Sequence, residues 1–130
     1  MTATPRAIEV AVAAAEAASD KLAGDIVAID VSDQLVITDI FVIASGNNER
    51  QVKSICDAVE ERLHGMGVKR LRREGHTEGR WILLDFGDIV VHAQLAEERA
   101  FYDLERLWRD CPSVELPATV TAGAGSTSDA

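Results

Sequence analysis

Aromatic residues are scarce in this chain: two Trp, one Tyr and three Phe, 5% of 130 residues. Their placement is therefore informative. Both Trp, the Tyr and two of the Phe lie between Gly79 and Trp108. Such a concentration belongs to a core or to a recognition surface. Cysteine is almost absent. Cys56 and Cys111 stand far apart, which fits a reduced compartment better than a disulfide framework; both read as small buried hydrophobes. Basic residues are the minority, 13 Lys and Arg against 22 Asp and Glu, for a net charge of −9. A protein that grips phosphates directly carries a basic surface, so a protein partner or a small ligand is expected here. Acidity that serves solubility alone is the other reading. Long apolar runs are missing too. Residues 10–18 are mostly Ala and Val, but Glu9 and Glu16 interrupt the stretch and one positive charge precedes it. That is neither a secretory segment nor a membrane span, and the early acids speak against a transit peptide. A cytoplasmic location with no membrane partner is expected.

What is present reads as one α/β domain. Thr4 and Pro5 supply an N-cap and a first helical residue. Ile8, Val12, Ala15, Ser19 and Leu22 then fall at helical spacing and predict the buried face, with Gly24 as the stop. Residues 25–31 and 39–45 are rich in β-branched and apolar residues and read as strands. The unbroken apolar run of the second predicts burial on both sides and a central place. Asn48 caps a helix whose Val52, Ile55, Val59, Leu63 and Met66 form one face. Strand, tight turn and helix in that order suggest parallel pairing. Residues 69–74 carry one apolar side chain and would make a charged edge strand. Residues 81–85 and 89–94 form a hairpin around Phe86-Gly87-Asp88. A last helix runs from about Ala96 to Asp110, with Phe101, Leu104 and Trp108 on one face and Leu107 beside them. Pro112 ends it. The domain is expected over residues 1–111, and residues 112–130, rich in Pro, Ala, Thr, Gly and Ser towards their end, form a disordered tail. The sheet is mixed, of about five strands, with helices packed on it.

No residue pattern spells out a reaction. Asp85-Phe86-Gly87 matches a kinase tripeptide but lacks its partners, a Gly-rich loop and a His-Arg-Asp, and reads as a turn. Glu74, His76, Glu78, Asp85 and His92 are irregularly spaced for a metal and include no His-x-x-x-His pair. His92 lies on an apolar strand and reads as a hydrogen-bonded core histidine, whereas His64 and His76 read as surface residues. Ser45-Gly46 before a helix could hold an anion; a helix cap is the plainer role. Lys69, Arg70, Arg72, Arg73 and Arg80 could touch RNA as a secondary contact, or be a solvated strand edge. Trp81, Tyr102 and Trp108 are candidates for an interface, because aromatics bury large area at low entropy cost.

An ordered set of short motifs then stands out. It runs Asp39-Ile40-Phe41-Val42-Ile43, Ser45-Gly46, Gln51-Val52, Glu74-Gly75, Trp81, Asp85-x-Gly87-Asp88, Val90-Val91-His92, Arg99 and Tyr102-x-Leu104-Glu105-x-Leu107-Trp108. Over about residues 6–109 the chain resembles the ribosomal silencing factors, also called the Iojap family, and looks like a bacterial member. The resemblance implies a nucleotidyltransferase-like fold without its catalytic residues: Gly46 is followed by Asn47, and no carboxylate pair follows. It implies a translational repressor rather than an enzyme. That repressor binds the large ribosomal subunit through ribosomal protein L-fourteen, blocks joining of the small subunit when nutrients are short, and is a homodimer when free. No cofactor and no metal are implied. Trp81, Tyr102, Leu107 and Trp108 would dock, while Ser45, Gly46, Asp85, Asp88, His92 and Arg99 match the motifs without an assigned role. Asn48 stands where the family usually has a second serine. The alternatives are a nucleotide-binding enzyme at Ser45-Gly46, or a large-subunit assembly factor using the same contact.

Overall fold

The computed structural model describes residues 3–120, and its first helix starts where Thr4 and Pro5 direct it. Thr4 Oγ1 accepts the Ala7 N–H at 3.1 Å, and Pro5 opens α1 (Pro5–Asp20). The buried face only partly matches the expected one: Ala15 is buried, while Val12 and Ser19 are intermediate. Ile8 and Leu22 are exposed, and Ala7, Val10, Ala11, Ala14, Ala15 and Ala18 are buried. The reason is steric. Alanine lets the helix axis approach its neighbours closely, so a broad alanine face buries more surface than the few larger side chains could.

Strand β1 (Gly24–Asp30) pairs antiparallel with β2 (Ile40–Gly46). Asn48 caps α2 (Glu49–Gly65), its Oδ1 accepting the Gln51 N–H at 2.9 Å. Val52, Ile55, Val59 and Leu63 form the buried face, as their spacing predicts, with Met66 partly buried beyond the helix end. Three exposed residues make β3 (Arg72–Glu74), and β4 (Trp81–Asp85) and β5 (Ile89–Leu95) form the hairpin. The sheet order is β1-β2-β5-β4-β3. Parallel pairing joins β2 to β5, from Ile40 opposite Ile89 to Gly46 opposite Leu95. The middle strand is therefore β5, buried at all seven positions; β2, expected to be central, is its interior neighbour.

Strand parity divides the side chains between two layers. Ile40, Val42, Ala44, Ile82, Leu84, Ile89, Val91 and Ala93 join α1 and α2 in the main core. The opposite parity carries Phe41, Ile43, Ser45, Trp81, Leu83, Val90, His92 and Gln94 to the other face. A smaller cluster there holds Ile29, Val31 and Ile43 with Phe41, Leu104, Trp108 and Cys111.

Two expectations at the C-terminal end are corrected. The last helix is two pieces, α3 (Ala96–Tyr102) and α4 (Leu104–Leu107), because Asp103 adopts a left-handed conformation (φ 49°, ψ 57°). Leu104 and Trp108 turn to the sheet, while Phe101 and Leu107, expected beside them, face outward. The domain also continues past residue 111. Asp30 N–H donates to the Pro112 carbonyl and Val114 N–H to the Ala28 carbonyl, each at 2.8 Å. Val120 is buried in the main core, with Val114 and Leu116 packed against it. The free edge of β1 offers backbone groups that this segment satisfies. The rest of the expected tail, residues 121–130, lies outside the described residues. No described helix is long and apolar enough to cross a membrane.

Candidate docking surface

The second face of the sheet carries a continuous chain of rings. Phe101 meets Tyr102 edge-on with centroids 5.0 Å apart, and Tyr102 lies 4.7 Å from Trp81. Trp81 is 6.0 Å from His92, His92 is 5.0 Å from Phe41, and Phe41 is 5.4 Å from Trp108. Five of the six aromatics of the sequence are in this chain. The sixth, Phe86, belongs to the main core. Burial changes along the line: Phe101 is 80% exposed and Tyr102 46%, Trp81 is half-buried, and His92 is 6% exposed. Edge-to-face contacts of this kind favour fixed ring orientations.

Trp81, in the middle of these rings, is held from below. Trp81 opens β4, and its Nε1–H donates to His92 Nδ1 at 3.1 Å. Its carbonyl lies so close to Gly75 that a Cβ there would come within 2.1 Å of the oxygen; Gly75 is also at φ 82°. Only glycine fits, so the loop before β4 is pinned to the base of Trp81. Burial lowers the pKa of His92 to about 4 and keeps the ring neutral.

Arg99, on α3, is a buried guanidinium with partners on three other elements. It donates to Ser45 Oγ on β2 at 2.8 Å, to the Gly24 carbonyl on β1 at 3.3 Å and to Glu105 Oε1 on α4 at 3.0 Å. The kink at Asp103 thus has an ion pair across it. It leaves Phe101, Tyr102 and Leu107 in one outward groove with Asp103, Arg106 and Arg109. Leu107 is 72% exposed. Trp108 faces Phe41 and supports the surface from behind.

The other motif residues have local structural work. Asp85 Oδ1 accepts the Gly87 N–H at 2.9 Å, and the Asp88 carbonyl accepts the N–H groups of Asp39 and Ile40. A Cβ at Gly46 would sit 3.0 Å from Val52 Cγ2 and 3.2 Å from Val52 N, so glycine lets α2 start against β2. Two of the donors that an anion at this turn would need are already used: the Asn47 N–H goes to Gln51 Oε1 and the Gln51 N–H to Asn48 Oδ1. Ser45 already binds Arg99. Among the described residues no three His, Cys, Asp or Glu side chains form a ligand set. The arginines of the basic run are paired with acids. Arg70 and Arg73 pair with Glu60, Arg72 with Glu74 and Asp85, and Arg80 with Glu97 and Glu98.

The sequence alone points to Trp81, Tyr102 and Leu107 as surface residues, but it does not mark Phe41, Glu105 or Gln94 as parts of the same region. Phe41 and His92 share a face only through the parallel register of β2 on β5. Gln94 lies fully buried between Ser45 and Trp81 in that register, and its amide has no hydrogen-bond partner among the described residues.

The comparisons with known proteins agree on one family. The model described as "Ribosomal silencing factor during starvation" matches residues 4–130. The ribosomal silencing factor of Halalkalibacterium halodurans is 40% identical over 108 residues, 83% of this chain and 92% of that protein. The Bacillus subtilis protein of the same name is 40% identical over 103 residues, 79% of this chain and 87% of that protein. A crystal structure of a Chromobacterium violaceum protein, 38% identical, superposes with a TM-score of 0.75 over 77% of this chain and 83% of that one. On the family match and on this identity along most of both chains, the chain belongs to the ribosomal silencing factor family.

Proposed function

We propose that this protein represses translation by docking on the large ribosomal subunit through ribosomal protein L-fourteen, where it blocks joining of the small subunit. Family membership supports the coarser part of this reading, a ribosome-associated role in silencing translation. The observation that carries the finer part is the exposed end of the ring chain. Phe101 and Leu107 are mostly exposed, and Tyr102 and Trp81 beside them are partly so. Apolar groups clustered at a surface are the usual signature of a docking site. The charge supports a protein contact over an RNA grip, because the net charge is −9 and the arginines of the basic run are paired. Repression needs no chemistry, only a binding free energy of about −8 to −12 kcal/mol, which corresponds to micromolar to nanomolar affinity. The protein acts in the cytoplasm, and when free it pairs as a homodimer that covers part of its exposed apolar surface.

The test is co-sedimentation with purified large subunits, small subunits and joined ribosomes on a density gradient. Migration with large subunits alone, with fewer joined particles, is the expected result. Trp81→Ala should weaken the association by about 2 kcal/mol, roughly thirtyfold. Wild-type affinity in a folded Trp81→Ala protein would remove Trp81 from the docking surface, and migration with no particle would overturn the reading.

A further inference from the structure

We infer that His92 is the positioning residue of the docking surface: its Nδ1 accepts the indole N–H of Trp81 and holds that ring in the orientation in which it docks. This rests on the docking role proposed for Trp81. It assigns a function to a motif residue that otherwise has none.

The geometry supports it from several sides. His92 sits on the middle strand, between Ile43 on β2 and Leu83 on β4. Trp81 starts β4 two positions before Leu83, so the two side chains meet diagonally across the strand pair. The indole is fixed at two points, by the 3.1 Å hydrogen bond at Nε1 and by Tyr102 with centroids 4.7 Å apart. The imidazole is braced in turn by the edge of Phe41, at an interplanar angle of 77°, and Phe41 by Trp108. Orientation therefore passes from the buried cluster to the half-exposed indole through one imidazole.

Tautomer logic sharpens the assignment. Nδ1 accepts from Trp81, so the single proton of the neutral ring is on Nε2. That Nε2 is buried and has no hydrogen-bond partner among the described residues. An aliphatic side chain would fill the same place without a buried orphan N–H, which is costly. What imidazole supplies and an aliphatic residue does not is the acceptor for Trp81. A protonated ring would put an N–H at Nδ1, donor against donor, so the burial that keeps His92 neutral also keeps the bond.

The test uses the full-length chain and two variants that separate ring from acceptor. His92→Phe keeps a ring against Phe41 and removes the acceptor. His92→Asn removes the ring but places an amide oxygen near the position of Nδ1. Two signals are read: the indole N–H resonances in a proton–nitrogen correlation spectrum, and the affinity for purified large subunits. In His92→Phe one indole resonance should move and exchange with water faster, while affinity falls about tenfold. In His92→Asn the indole signal should stay protected and affinity should remain within about threefold of wild type. Wild-type affinity in a folded His92→Phe protein would overturn the proposal. An equal loss in both variants would overturn it too, because packing rather than the bond would then set affinity. If the Phe variant does not fold, His92→Gln replaces it, since its amide reaches the Nε2 end and leaves the indole without an acceptor. Should the wild-type chain not bind large subunits, the docking reading fails and the positioning role with it. The indole spectrum would still report the bond itself, so the two failures are told apart.

Discussion

His92 is an ionisable group held among apolar neighbours, and its titration is part of the stability of the fold. The ring is flanked by Phe41, Trp81, Ile43 and Leu83. Burial lowers its pKa from 6.5 to about 4. Between those values the unfolded chain binds one more proton than the folded chain. Stability from this group is complete above pH 6.5 and declines as pH falls toward 4, by about 3 kcal/mol in all. Urea unfolding across that pH window should show the decline, and His92→Phe should remove this group's share of it. A slope equal in both proteins would mean that His92 does not carry it. At this scale the sequence was only partly legible. A histidine on an apolar strand reads correctly as buried and bonded, but its partner does not follow from the sequence. Trp81 is eleven positions away, and the pairing depends on hairpin register. Gly75 reads only as loop and motif, because the Trp81 carbonyl it must clear is brought to it by the fold.

The elements α3 and α4 act as a unit through Arg99. A helix of seven residues and one of four are too short to be stable by themselves. The buried guanidinium joins them to β1 and β2, and its ion pair with Glu105 crosses the left-handed residue Asp103. Arg99→Ala should destabilise the fold by about 3 kcal/mol, since it orphans Ser45 Oγ and the Gly24 carbonyl and releases α4. Glu105→Gln should cost less than about 1 kcal/mol, because Glu105 is partly exposed and an amide oxygen still accepts. Urea midpoints of the two variants check both values, and equal costs would deny the staple. Residues 96–110 read as one helix because periodicity and dipole-compatible charges run through Asp103 without a break. An aspartate carries no warning of its own; it is one of the residues that tolerate the left-handed region when tertiary contacts demand it. The α2 face, by contrast, was readable, because large apolar residues at helical spacing leave one way to face the sheet.

For the whole molecule the deciding quantity is charge. A net charge of −9 makes direct contact with many phosphates unfavourable. Binding to large subunits through a protein patch should therefore depend weakly on salt. We expect affinity to change by less than about tenfold between roughly 0.05 and 0.3 M salt, whereas a grip on about six phosphates would lose on the order of ten-thousandfold. Sedimentation across a salt series measures this. A steep loss would point to RNA as the dominant contact and would shift attention to Lys69, Arg70, Arg72 and Arg73.

The sequence by itself determined most of the elements and their kinds. Apolar alternation, the Asn48 and Thr4 caps, the Phe86-Gly87-Asp88 turn and the ordered family motifs are all local signals, carried by residues a few positions apart. Tertiary structure alone decided which of these residues act together. Phe41, Trp81, His92 and Tyr102 form one surface because β5 inserts parallel to β2 and antiparallel to β4. The alanine face of α1 is buried because the helix packs against both the sheet and its neighbour α2, where small side chains allow close approach. Residues 112–114 line the free edge of β1, and Leu116 and Val120 then reach the main core. In each case the cause is a contact between segments distant in the chain. Its free energy arises only when the sheet closes, so no short window of sequence records it.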